Sequence, residues 1–118
     1  SKERLDLFKT ASQELMTALL PISDDMDRAL LEFKKTENKD LIQGFELIYS
    51  KFNEILKSKG LTQMEVNKGD KFDAESHEAI TQIKADKAKN KGKIVDVIEK
   101  GYKLGDKILR YPKVVVAN

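Results

Sequence analysis

This sequence contains no cysteine, one histidine and two prolines. Without cysteine there is no disulfide, no thiol catalysis and no cysteine-based metal site. No apolar run approaches the ~18 residues that a membrane-spanning helix needs. The N-terminal SKERLDLFKT is charged where a signal peptide would carry its apolar core. No internal repeat occurs. These absences point to a soluble, cytoplasmic protein, or a piece of one, with no membrane partner.

Charge of one sign is also missing. Charged residues make up 36% of the chain, above the usual ~25%. Yet 22 Lys and Arg oppose 20 Asp and Glu, for a net charge of +2. A dedicated nucleic-acid binder shows a basic face and a strong positive balance, so no nucleic-acid partner is expected. Lysines do cluster in KADKAKNKGK, Lys84 to Lys93. This run reads as a solvated loop.

What remains falls into two halves, 1–60 and 61–118. In the first, Leu5, Phe8, Leu15, Leu19, Ile22, Met26 and Phe33 recur in a three-four rhythm that lays an apolar seam along a helix. Pro21 interrupts it, which predicts a kink or a fresh helix start. KKTENKD is a break. Asp40 then reads as an N-cap, with Gln43 completing a capping box. Leu41, Phe45, Ile48, Phe52 and Ile55 form the seam of a second helix, which closes on KSKG with Gly60 in the left-handed position.

After Gly60 the pattern changes to short segments of sheet-forming residues. Met64 and Val66 alternate with polar neighbours. Strands are predicted over Lys93–Glu99, Lys107–Arg110 and Lys113–Ala117, with turns at NKG, EKGY and LGD. DAESHEAI reads as a helical turn or a loop. The fold class is α+β: a helical hairpin, 1–60, and a small all-β C-terminal unit, 61–118. Two helices alone cannot bury both seams, so the hairpin is expected to form a dimeric four-helix bundle. Its interface would use Leu15, Leu19, Ile22, Met26, Phe45, Ile48, Phe52 and Ile55.

No constellation for catalysis is present. HEAIT, from His77, begins like the zinc motif H-E-x-x-H, but Thr81 stands where the second ligand belongs. The glycines match neither phosphate-binding pattern. No nucleophile stands with a base and an orienting group. No enzyme, metal or cofactor is expected.

One larger pattern is specific. FDAESHEAI, Phe72 to Ile80, is followed about twenty residues later by GYKLGDKILRYPKVVV. Phe72, Asp73, His77, Ala79, Gly101, Tyr102, Asp106, Leu109, Arg110, Val114 and Val116 match the signature of the GrpE family. LLPISDDMDRAL and GFELIYSKFNEILKSKGL also resemble that family's helices. Pro112 departs from the signature, which usually has a small residue there.

The resemblance implies a homodimer whose β wing contacts the nucleotide-binding domain of a DnaK-type chaperone and favours ADP release. It implies an excised core that lacks a long N-terminal helix. It also implies chaperone contacts at Arg28, Gly44, Ile98 and Val116. Phe72, His77, Gly101, Tyr102 and Arg110 would be structural. For Ile98 and Val116 the competing reading is core packing. For Arg28 it is a surface ion pair with Asp24 or Glu32. A generic helical dimerisation module without exchange activity fits the periodicity equally well.

Overall fold

The Ser1 side chain accepts a hydrogen bond from the Arg4 amide and so caps α1, which runs Lys2–Lys34. The computed structural model describes residues 1–118. They divide into two compact units, Ser1–Leu61 and Thr62–Asn118.

The first unit is a helical hairpin. The fresh helix start offered as one reading of Pro21 does not occur, since α1 continues through it. An interior proline costs ~3 kcal/mol. In a helix of 33 residues that cost is outweighed by propagation on both sides and by the anchoring of Leu20, just before it, at 1% exposure.

The second helix, α2, spans Lys39–Ser58 and is capped by Asn38, whose side chain accepts from the Leu41 amide at 3.1 Å. The capping box expected from Asp40 is therefore displaced. Asn38 is an equally good cap two residues earlier. It leaves Asp40 in the first turn, where a negative charge favours the helix dipole. Past the C-cap Lys59, Gly60 adopts φ +96° and donates to the Lys57 carbonyl at 3.0 Å, a conformation that any β-carbon would disfavour.

The two helices meet through Phe33 and Phe45, edge to face with centroids 5.1 Å apart, and Phe45 stacks on Tyr49. Lys34 reaches Glu46 across the hairpin at 3.8 Å, an exposed pair worth ~0.2–1 kcal/mol. The apolar arc of α2 is wider than this contact uses. Phe45, Tyr49, Phe52 and Leu56 are half-buried or buried, whereas Leu41, Ile48 and Ile55 stand exposed at heptad spacing beside them. In α1, Phe8, Leu15 and Ile22 repeat the same exposed heptad line, while Met16, Leu20 and Ser23 are buried.

The second unit holds two three-stranded sheets. One has the order β1 (Leu61–Gln63), β4 (Tyr102–Leu104), β5 (Lys107–Arg110). The other places β6 (Lys113–Ala117) between β2 (Glu78–Ile83) and β3 (Ile94–Glu99), parallel to β2 and antiparallel to β3. Ile94, Val114 and Val116 form the core, with Val66, Phe72 and Val97 packed on it.

Three strands lie outside those the sequence predicts: β1, β2 and β4, with β1 ending just ahead of the Met64–Val66 alternation, which is not strand. The first half of β2, Glu78–Ile80, lies in DAESHEAI, which the sequence marks as helical turn or loop; EAITQI alternates poorly, and every residue in it is exposed. In β4, Tyr102 and Leu104 lie inside the turn signals EKGY and LGD. The lysine run 84–93 contains one turn of 3-10 helix, Ala88–Asn90.

Candidate protein-binding surface

The surface of the second unit follows from β6. This strand is hydrogen-bonded on both sides, and its residues Val114 to Ala117 are all buried. Successive side chains of a strand point to opposite faces. Val114 and Val116 enter the core; Val115 and Ala117 lie on the other face.

The neighbouring strands do not follow β6 evenly. In β3, Val95 and Asp96 together stand opposite Val115, and Ile98 and Glu99 opposite Lys113. In β2, Ile80 and Thr81 together stand opposite Val115. Each is a β-bulge, in which one extra residue leaves the ladder and re-aims its side chain. The extra residues are Val95, Ile98 and Ile80, and all three are exposed. Ile98 is the most exposed of them, at 54%. Strict alternation would put Ile98 on the side of Ile94. The bulges break that period, so Ile94 and Val97 share the core and Ile98 leaves it.

Val116 is different. It is 6% exposed and belongs to the core cluster. A side chain so covered has almost no surface to offer a partner, so of the two sheet positions named from sequence only Ile98 presents its side chain outward.

Charged and polar side chains lock the rim. Arg110 donates from Nε and Nη2 to the Lys100 carbonyl at 2.9 and 2.7 Å. Its guanidinium lies 5.5 Å from the Tyr102 ring centroid, and its Nε is 3.1 Å from Glu99 Oε1. Glu99 also meets Lys113 at 3.8 Å. Arg110 thereby ties β5 to the β3–β4 connection. Gly101 is buried there, with no room for a side chain against Pro112. Pro112 is itself buried, and its carbonyl accepts from the Glu78 amide at 2.9 Å.

Phe72 and His77 brace a separate loop. Phe72 packs on the core, and its ring lies 5.9 Å from that of His77. His77 Nδ1 accepts from the Asp73 amide at 3.0 Å, while the His77 amide donates back to the Asp73 carbonyl at 2.8 Å. The Asp73 carboxylate accepts from the Glu75 amide and the Ser76 hydroxyl. The Nδ1 atom of His77 is thus an acceptor that closes the Asp73–His77 loop. No group of three or more His, Asp or Glu side chains is placed to hold a metal ion.

On the helices, Arg28 is exposed and paired with Asp25, three residues back, a partner that neither expected four-residue spacing indicates. Gly44 is exposed, with nothing within 4 Å of where its β-carbon would stand. It lies three residues after Leu41 and four before Ile48, hence on the same exposed line. Leu15, Ile22, Ile48 and Ile55 of the expected dimer seam are exposed; Leu19, Met26, Phe45 and Phe52 are half-buried. No helix is long and apolar enough to cross a membrane.

The helical hairpin thus leaves heptad lines uncovered, and the β unit carries exposed apolar residues at its bulges. The chain belongs to the GrpE family, whose model matches residues 1–118. It is 40% identical over 116 residues to Protein GrpE of Parabacteroides distasonis, a match covering 98% of this chain and 59% of that protein. It is 41% identical over 115 residues to Protein GrpE of Methanobrevibacter smithii, covering 98% and 60%. With Protein GrpE of Porphyromonas gingivalis the figures are 37% over 116 residues, 98% and 59%. The chain thus spans about three-fifths of the length of the curated relatives it matches.

Proposed function

We propose that this chain is the core of an adenine-nucleotide exchange factor for a DnaK-type chaperone. The observation that carries the reading is Ile98: an apolar side chain, 54% exposed, ejected by a bulge from a strand clamped to the buried β6. Exposed apolar residues on a braced sheet suit a face that must hold its shape against a partner.

The mechanism is linkage. A factor that binds the open form of the nucleotide-binding domain better than the closed form weakens nucleotide binding by the same coupling. A coupling of ~4 kcal/mol lowers nucleotide affinity roughly a thousandfold. No covalent step is required. Ile98 contributes apolar contact, and Arg28 and Gly44 contribute a second contact along the helices. Val116 serves from within, packing beneath the strand that carries Ile98.

The chain works as a homodimer in the cytoplasm. The support is the pair of exposed heptad lines, Phe8–Leu15–Ile22 and Leu41–Ile48–Ile55, which a second copy would cover in a four-helix bundle. Each large apolar side chain so covered contributes up to ~1.5–3 kcal/mol.

The test is the release rate of labelled ADP from a DnaK-type chaperone with and without this chain. Acceleration that saturates with added chain is expected. An unchanged rate at saturating concentration refutes the proposal.

A further inference from the structure

A recess of about 410 Å³ opens where β2, β3 and β6 meet the lysine-rich loop. Its apolar sides are Ile83 and Val95, both exposed; Ile94 and Ala117, nearly covered, lie at its floor. Lys84 and Lys93 also line it, and neither is held in an ion pair. The remaining charge on the wall is Asp86, whose carboxylate accepts from Asn90 Nδ2 at 2.8 Å. The segment 84–93 carries Lys84, Lys87, Lys89, Lys91 and Lys93 against Asp86 alone, five positive charges to one negative, or +4.

These features select among anionic partners. A nucleic-acid strand needs aromatic faces on which bases stack, and no aromatic side chain lines the recess. A bilayer surface is met by a broad outward apolar face, whereas here two exposed apolar side chains, Ile83 and Val95, flank a recess sized for one side chain. An apolar-sided recess with free cations at its edge fits one aliphatic side chain flanked by carboxylates.

We propose that the recess docks an acidic peptide segment, taking a leucine-sized side chain against the exposed Ile83 and Val95, over the floor at Ala117, while Lys84 and Lys93 meet the flanking carboxylates. This site is separate from the exchange reading and requires neither nucleotide nor chaperone. Its electrostatic part weakens with added salt, and its apolar part does not.

The experiment titrates the full chain, labelled with nitrogen-15, with the capped peptide Glu-Glu-Leu-Glu-Glu. Saturable amide shifts are expected at Ile83, Ala85, Ile94 and Ala117. Replacing the central leucine by alanine should weaken binding by about tenfold. The double variant Lys84→Glu/Lys93→Glu should lose saturable binding of this peptide and gain binding of Lys-Lys-Leu-Lys-Lys. An unchanged thermal midpoint would show that this variant folds, and the leucine-to-alanine comparison on the unaltered chain stands whether it does or not. Absence of saturable shifts, equal binding of the alanine peptide, or shifts centred away from the recess overturns the proposal. So does a stronger response of the same amides to phosphatidylglycerol vesicles or to a polyuridine oligonucleotide.

Discussion

A β-carbon built on Gly101 stands 2.3 Å from Pro112 Cδ, 2.4 Å from the Pro112 nitrogen and 2.9 Å from the Arg110 carbonyl oxygen. Two of these three neighbours are backbone atoms, so they cannot swing aside as the end of a flexible side chain would. The glycine is required because the Arg110–Pro112 backbone crosses directly over it. Gly101→Ala should destabilise the β unit by at least about 2 kcal/mol, through overpacking at a buried site. Urea denaturation followed by tyrosine fluorescence would check this; an unchanged midpoint contradicts it.

Gly44 is the opposite case, because its surroundings are open. Gly44→Ala should raise the stability of α2 by up to ~1 kcal/mol, as expected for an exposed helical glycine. Gly44→Asp should leave helical circular dichroism largely intact and still reduce ADP release from the chaperone. Collapse of the helical signal in the aspartate variant would assign the glycine a purely structural role.

Ile98 and Val116 should separate cleanly. Ile98→Glu places a charge on the surface and should change stability by less than ~0.5 kcal/mol while weakening chaperone binding. Val116→Asp buries an unpaired carboxylate, which costs several kcal/mol, and should unfold the β unit. Calorimetric binding to a DnaK-type chaperone, paired with thermal melts, distinguishes them. Undiminished affinity in Ile98→Glu removes that residue from the contact face.

Ile48→Lys puts a charge in the middle of the exposed line Leu41–Ile48–Ile55. Sedimentation velocity should show a shift from dimer to monomer at micromolar concentration, with helical content reduced in proportion to the lost packing. A parent chain that sediments as a monomer would contradict the bundle directly.

Asp86 supplies a pH marker. The hydrogen bond from the Asn90 side chain, the largest influence on it, holds its carboxyl below the usual aspartate range. A depressed value in the folded state means that the stabilisation is present above the ordinary aspartate value and is lost as pH falls through the folded one. Carbon-13 titration of the carboxyl should show this lowering, and Asn90→Ala should raise the value toward the ordinary range. Identical titration in the two proteins contradicts the assignment.

The helices were legible because their signals are local. Apolar spacing and Gly60 mark elements that depend on neighbours within a turn or two. Asn38 and Asp40 show the resolution limit: two good caps lie two residues apart, and only the backbone path selects between them. The sheet was less legible because its geometry depends on distant partners. EAITQI becomes β2 only through pairing with β6, about thirty-five residues away, and the exposure of Ile98 depends on a bulge set by register. Val116 illustrates the same point, since a match to a family signature does not reveal whether its side chain faces a partner or the core.

The central position of β6 also sets an order of assembly. Neither β2 nor β3 pairs with the other; each waits for Lys113–Ala117, which a ribosome makes after both. During synthesis the hairpin can therefore form while this sheet is still two unattached ribbons, whose ladder partners do not yet exist. Premature termination ahead of Lys113 would yield a chain with competent helices and two sticky strands, a natural target for the cell's own aggregation control.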